Sequence, residues 1–379
     1  MPKMVFTFGC NMVQCMYTLD WGGFLRFMRA FSIALCLFVL LMALSACGDT
    51  VDGGSSAVSD VSPDGSVSSE NITSTESTAS AESAVSSDAT SSDSASGGTE
   101  NTANLQKLTE IGGKAVLYKV NDNIFKLEVP FSGIYTSVFF VKVDGGYVTV
   151  DTGSNANDVN NYVVPAMGEL GITLDSIKGI LLTHTHGDHA GGLAALAPLC
   201  PNAVVYGVRD SNASAGSNTY VGVSDGDVIA DYVKVVTIKG HDTDTCGYLD
   251  IRSKTLISGD SIQLHGIASW GCQVRHIDDY FASMRKLQEM DIENILISHA
   301  YCPSGAFAFG AEASQKYISD SIDALEVLVT FTEGLYSTGV TDAGEIQSQY
   351  VALMKQTYPD FPKSGFDTAI KAIITQKLK

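Results

Sequence analysis

The sequence predicts an α/β fold, and three observations carry that expectation. Between residues 114 and 299, short runs rich in Val, Ile and Phe alternate with segments whose apolar residues recur at helical spacing. Asp144-Gly145-Gly146 sits between two such runs and signals a hairpin. Ligand-type residues (His, Asp) recur where predicted strands end, the densest being THTHGDHAGG over 183–192.

Taken in order, runs at 114–120, 123–129 and 138–143 read as strands joined by short turns, with 147–150 completing the hairpin. D151-T-G153 follows, then a helix over 157–170 stopped by Gly171. The apolar run 177–183 is a strand that enters the histidine cluster, and the small residues of 190–197 follow it as a helix. A strand at 203–206, a loop-rich stretch at 212–226 and a strand at 232–238 lead to His241. Segments 247–252 and 255–258 form a second hairpin ending at Gly259-Asp260. A helix over 276–290 places Ile277, Phe281, Met284 and Leu287 on one face, and a strand at 294–298 runs into His299. From 311 the pattern turns all-helical, with segments at 317–329, 347–356 and 366–376.

The ends of the chain differ in composition from its middle. Arg26 and Arg29 precede an apolar run, 31–44, the length of a signal-peptide core and short for a membrane span. The run ends in LSAC at Cys47, which resembles the lipobox of bacterial lipoproteins. That resemblance implies that residues 1–47 are a signal peptide ending at a lipidated Cys47 and that the protein is lipid-anchored, outside the cytoplasm, on the bacterial cell membrane. Met16 or Met28 would give a more ordinary signal start than Met1. Residues 48–104 are Ser, Thr, Ala, Asp, Glu and Gly with almost no large apolar residue, so they are expected to form a disordered tether. The net charge of −19 disfavours a broad nucleic-acid surface, and no nucleic-acid partner is expected. The 8 cysteines contain no CxxC pair; if the body is exported, Cys272–Cys302 is the favoured disulfide.

Of the 7 histidines, three fall in HTHGDH at 184–189. Neutral imidazoles with carboxylates suit zinc or a similar divalent ion. With His241, Asp260 and His299 further on, the series resembles the metallo-β-lactamase-fold hydrolase superfamily: an HxHxDH motif, a distant His, an Asp and a last His, preceded here by V150-D-T-G153. The resemblance spans roughly 115–301 and implies a four-layer αβ/βα sandwich over 105–310; the helical segments of 311–379 lie outside it and are expected to form a C-terminal helical extension. It also implies two divalent ions, zinc first and iron or manganese as alternatives. His184, His186 and His241 would hold one ion, and Asp188, His189 and His299 the other, with Asp260 between them. A hydroxide bridging ions about 3.5–4 Å apart would attack the substrate. Asp188 would handle its proton as the catalytic residue. Asp151 would orient a ligand histidine from behind, and Tyr301 is a candidate donor to an oxyanion.

The implied reaction is hydrolysis of a small-molecule ester, thioester, lactone or similar bond. Asp260 in SGD is unlike true β-lactamases, His186 replaces the Glu of the flavin-linked di-iron branch, and no nuclease insertion is present. Two alternatives remain at this point: a non-catalytic ligand- or metal-binding lipoprotein on the same fold, and a mononuclear-iron sulfur oxygenase. The substrate is expected to be chosen by 212–226, 264–275 and the helical extension.

Overall fold

The computed structural model describes residues 105–208 and 217–379. The signal, Cys47 and the tether lie outside the described residues. Among the described residues no helix is long and apolar enough to cross a membrane.

Two sheets face each other. The first runs in chain order: β1 (Gln106–Ile111), β2 (Ala115–Lys119), β3 (Ile124–Phe131), β4 (Ile134–Val143), β5 (Gly146–Val150), β6 (Ile177–Leu181), β7 (Val204–Val208) and β8 (Tyr220–Val223). It is antiparallel through β5 and parallel from β5 to β8. The change of sense follows the chain: a two-residue turn at Asp144-Gly145 returns β4 into β5, whereas β5 and β6 are separated by a helix. The second sheet has the order β14 (Gly305–Phe309), β13 (Asn294–Tyr301), β12 (Thr255–Ile257), β11 (Cys246–Asp250), β10 (Val233–Thr237), β9 (Val228–Ile229).

Apolar alternation on the strands builds the layers. Phe139, Val141, Val148, Val150 and Leu181 of the first sheet pack against Val235, Tyr248, Ile257 and Leu296 of the second. The opposite face of the first sheet, with Leu127, Val138 and Ile180, packs on the helix α1, which runs through Ala156–Asp158, Val159–Val163 and Val164–Glu169 and buries Val159, Val163 and Met167. The opposite side of the second sheet carries α4 (Ile277–Gln288) and α5 (Ala311–Ser337), with α5 against β13 and β14. This is the expected four-layer sandwich. Its helical extension is α5, α6 (Ala343–Met354) and α7 (Asp367–Ile373, continued by Ile374–Leu378).

Several local expectations are corrected. β1, β8, β9 and β14 have no counterpart among the expected strands. Tyr220–Val223 lies within the stretch expected to be loop, and Gly305–Phe309 is an edge strand that follows a Pro-Ser turn. The helix after the histidine cluster is broken into α2 (Gly187–Ala190), α3 (Leu193–Leu196) and a short 3-10 turn, because adjacent glycines interrupt it. On α4 the buried stripe uses Tyr280 beside Ile277, Met284 and Leu287, with Phe281 only half-buried. Cys272 and Cys302 are free thiols, as are Cys200 and Cys246. Ile267 pairs through its backbone with both Gly271 and Tyr301, the residues that directly precede Cys272 and Cys302.

Candidate metal centre

The site sits at one end of the sandwich, where β5, β6, β10 and β12 deliver their following residues and β13 contributes His299 from within the strand. β5 ends at Val150, and Asp151 turns the chain with φ 62, a left-handed conformation that Asp tolerates better than most residues. Asp151 N donates to Leu181 O at 2.8 Å, and Thr183 N returns a bond to Asp151 Oδ1 at 2.8 Å. The two strand ends are thereby locked before the histidines begin. After His186, α2 carries Asp188 and His189 into the site. Its close docking explains the paired glycines: a Cβ on Gly191 would sit 2.1 Å from Ser154 O, and one on Gly192 would sit 2.2 Å from Thr152 O. Thr152 N and Oγ1 both donate to His189 O at 2.8 Å.

All seven expected ligand residues converge. The ligand atoms of His184, His186 and His241 lie within 4.8 Å of one another, and so do those of Asp188, His189, Asp260 and His299. His241 Nε2 is 2.9 Å from His186 Nδ1. In the second group His189 Nε2 is 3.2 Å from Asp188 Oδ2, and His299 Nε2 is 3.1 Å from the same oxygen. Asp260 lies between the groups: its Oδ2 is 3.4 Å from His189 Nε2 and 3.9 Å from His241 Nε2, and its Oδ1 is 3.3 Å from His299 Nε2. His299 is not at the end of its strand as expected; β13 continues to Tyr301 through an irregular stretch of its pairing with β14.

Each histidine is held from behind by its other nitrogen. Thr183 Oγ1 is 3.1 Å from His184 Nδ1, and Asp151 Oδ2 is 2.8 Å from His189 Nδ1. The carbonyl oxygens of Gln273 and Tyr135 lie 2.9 Å and 2.6 Å from the Nδ1 atoms of His241 and His299. Asp242 Oδ2 is 3.5 Å from His186 Nε2. Protons placed on these outer nitrogens leave five lone pairs facing inward: Nε2 from four histidines and Nδ1 from His186. Buried His184 Nε2, His189 Nε2 and Asp260 Oδ1 have no hydrogen-bond partner. Unpaired buried polar atoms are costly unless something occupies the space between them. The donor set, imidazole with carboxylate, fits two divalent ions of the zinc type.

The electrostatics separate the two groups. Burial, reinforced by neighbouring imidazoles, holds His184 well below the ordinary histidine range and lowers His241 to about 4. Burial also opposes charge on His299 and His189, but Asp260 with its neighbouring carboxylates outweighs it, raising His299 to about 9 and His189 well above the ordinary range. Burial works against ionised Asp188 and Asp260 too, yet His189 and His299 keep both carboxylates ionised. The first group is therefore a set of neutral ligands. The second balances two carboxylates with protons that a cation would replace.

The remaining expected residues fall around this centre. Asp151 is fully buried behind His189, and the buried Tyr301 ring lies 6.4 Å from the His299 ring. Phe131 stacks on Trp270 at 5.8 Å and reaches within 6.4 Å of the His299 ring, so the 264–275 stretch does border the site. Positions 217–226 are occupied in part by β8, while 209–216 lie outside the described residues. Sequence reasoning missed Asp242, Thr183, Gln273 and Arg275. Thr183 and Asp242, adjacent to His184 and His241, carried a signal that proximity to a ligand could have raised.

Comparison with known proteins places this geometry in a family context. Residues 132–299 match the family model of the Metallo-beta-lactamase superfamily, a span that includes all seven ligand positions. The chain is 31% identical over 119 residues to a hydroxyacylglutathione hydrolase from Francisella philomiragia, covering 30% of this chain and 46% of that one. It is 25% identical over 198 residues to an atrochrysone carboxyl ACP thioesterase from Pseudocercospora fijiensis, covering 51% of this chain and 53% of that one. The chain thus spans about half the length of these curated relatives. A solved metallo-beta-lactamase family protein from Thermus thermophilus superposes with a TM-score of 0.52 at 16% identity, over 68% of this chain and 94% of that one. At that identity the likeness shows the fold.

Proposed function

We propose, from the metallo-beta-lactamase superfamily domain of residues 132–299, that this protein is a metal-dependent hydrolase with two divalent ions, zinc in the first place. Its substrate is a small molecule with an ester, thioester, lactone or similar bond; the relative named as a thioesterase favours a thioester among these. The observation that carries the reading is the convergence of seven ligand side chains in two groups that share Asp260. A non-catalytic binding protein has no need to keep all seven, and a mononuclear oxygenase has no use for the second group.

His184, His186 and His241 would hold one ion, Asp188, His189 and His299 the other, and Asp260 would face both. Ions bound there supply a Lewis acid for the substrate oxygen and make a water acidic enough to react near neutral pH. The protein's own part is orientation and proton handling. Asp188 offers an ionised carboxylate to a proton of the attacking water. Tyr301 is kept protonated by burial, as a donor to a developing oxyanion must be. Phe131 and Trp270 form an aromatic wall beside His299 that would take an apolar part of the substrate. We also propose, from the LSAC sequence ending at Cys47, that the protein is held outside the cytoplasm by a lipid on that cysteine.

The test is a screen of the purified, zinc-loaded chain against lactone, thioester, phosphodiester and β-lactam panels, with His186→Ala as control. Two zinc ions per chain and hydrolysis that disappears in His186→Ala support the reading. A chain that takes up no metal on reconstitution rejects it.

A further inference from the structure

Apart from His184, whose partner Thr183 donates to Asp151, the two ligand groups are supported by different parts of the chain. In the second group, His189 is held by Asp151 at the end of β5 and His299 by the Tyr135 carbonyl of β4, both in the first sheet. The first group leans on the loop between β12 and α4 and, through it, on the C-terminal helices. The loop residue Gln273 offers its carbonyl to His241 Nδ1 at 2.9 Å, while its side-chain Nε2 donates to Gly365 O of the extension at 2.8 Å. Gly271 and Gly365 touch so closely that a Cβ on Gly365 would lie 2.0 Å from Trp270 O.

His186 is reached by a parallel chain of contacts. Asp242 Oδ2 faces His186 Nε2 at 3.5 Å and Arg275 Nη1 at 2.5 Å, while Oδ1 accepts from Thr243 N at 2.7 Å. Arg275 N donates to Gly240 O at 2.8 Å, and Arg275 O accepts from Gln376 Nε2 at 2.7 Å. Gln376 Oε1 in turn accepts from Ile277 N at 3.0 Å, which caps the first turn of α4. Gln376 is in the last helical turn of the chain. Neutral His186 can present Nδ1 inward only if Nε2 carries the proton, and an ionised carboxylate beside Nε2 favours that tautomer.

We infer that Asp242 is a positioning residue for His186, and that the C-terminal helices, through Gln376–Arg275 and Gly365–Gln273, set the occupancy of the His184/His186/His241 site independently of the other. The inference rests on the reading that the two groups hold metal.

The experiment uses the full chain loaded with cobalt(II). Bound ions are counted by mass spectrometry, and the visible absorption is followed during competition with a chelator. In Asp242→Ala one of the two ions is expected to weaken by about 10–100-fold, with a change in the cobalt spectrum, while the second keeps its affinity. Asp242→Asn, whose amide oxygen still accepts from Nε2, recovers most of that loss. Gln376→Ala, at an exposed side chain, shifts the same ion by a smaller factor and covers the case in which Asp242→Ala does not fold. Wild-type protein that binds no cobalt overturns the functional reading and the inference with it. Wild-type protein with two ions, alongside variants whose affinities are unchanged or weakened equally at both sites, overturns the inference alone.

Discussion

Asp151 Oδ2 lies 2.8 Å from His189 Nδ1, and both side chains are fully shielded from solvent. The same carboxylate accepts from Thr183 N at 2.8 Å and from Thr183 Oγ1 at 2.8 and 3.0 Å. One acidic side chain thus joins β5, the start of the histidine motif and the ring of His189.

Asp151→Ala leaves Thr183 N buried without an acceptor and His189 without an orienting partner. The expected result is a loss of about 2–3 kcal/mol in urea unfolding of the metal-free protein. Metal affinity at the second group should fall by about 10–100-fold. Asp151→Asn should fall between this variant and wild type, since Asn also tolerates the left-handed backbone. Chelator competition checks the second effect; an Asp151→Ala protein with wild-type metal affinity would confine Asp151 to a turn.

The glycines of HGDHAGG divide into one that is replaceable and two that are not. A Cβ on Gly187 meets nothing within 4 Å, whereas Cβ atoms at Gly191 and Gly192 would collide with backbone oxygens at 2.1 and 2.2 Å. Gly187→Ala is expected to be neutral or stabilising by up to about 1 kcal/mol, because it starts a helical turn. Gly192→Ala should cost at least about 1–3 kcal/mol, as the 151–153 loop must move away from α2. Thermal melts of the two variants with equal costs would contradict this assignment.

The sequence made the ligand set legible because ligands are chemically unusual and lie at the ends of well-patterned strands. His184, His186, Asp188 and His189 are close in sequence, and His241, Asp260 and His299 follow residues that read as strand. What stayed hidden is held by backbone or by long-range packing. The carbonyls of Tyr135 and Gln273 orient two histidines through atoms every residue possesses, so no side chain marks them. β8 and β14 are short edge strands with little apolar alternation, and their assignment depends on the neighbour that pairs with them. The contact between Gln376 and Arg275 spans a hundred residues of chain and has no local signature.

Lys126 was also invisible to composition. Its side chain is fully buried, with Nζ 2.7 Å from Glu128 Oε1 and 4.9 Å from the centre of the Tyr135 ring, next to the strand that orients His299. Breaking such a pair from one side costs more than replacing the charge with a hydrocarbon of similar length. Glu128→Ala is expected to destabilise by up to about 3 kcal/mol, moderated because Glu128 keeps 15% of its side chain in solvent. Lys126→Met should lie within about 1 kcal/mol of wild type or above it. Denaturant titration of both variants decides the matter, and a Lys126→Met protein less stable than Glu128→Ala would reverse the argument.

His265 offers a pH test outside the metal centre. It is half-buried, with ring centres 5.0 Å from Tyr358 and 5.7 Å from Phe361 of the helical extension, and its Nδ1 has no partner. Burial lowers it to about 4, opposed weakly by Asp320. The unfolded chain takes up this proton near pH 6.5 and the folded chain only near 4, so in between the unfolded state binds more protons. Stability therefore falls as pH drops from about 6.5 to about 4, by at most about 3 kcal/mol from this group, and the loss is complete below that range. His265→Phe removes the contribution. Its stability relative to wild type should rise on acidification across that window and stay constant above pH 7. Because the metal ligands titrate in both proteins, the difference between the two curves isolates His265, and a difference independent of pH would show that the ring takes up its proton as readily in the folded chain as in the unfolded one.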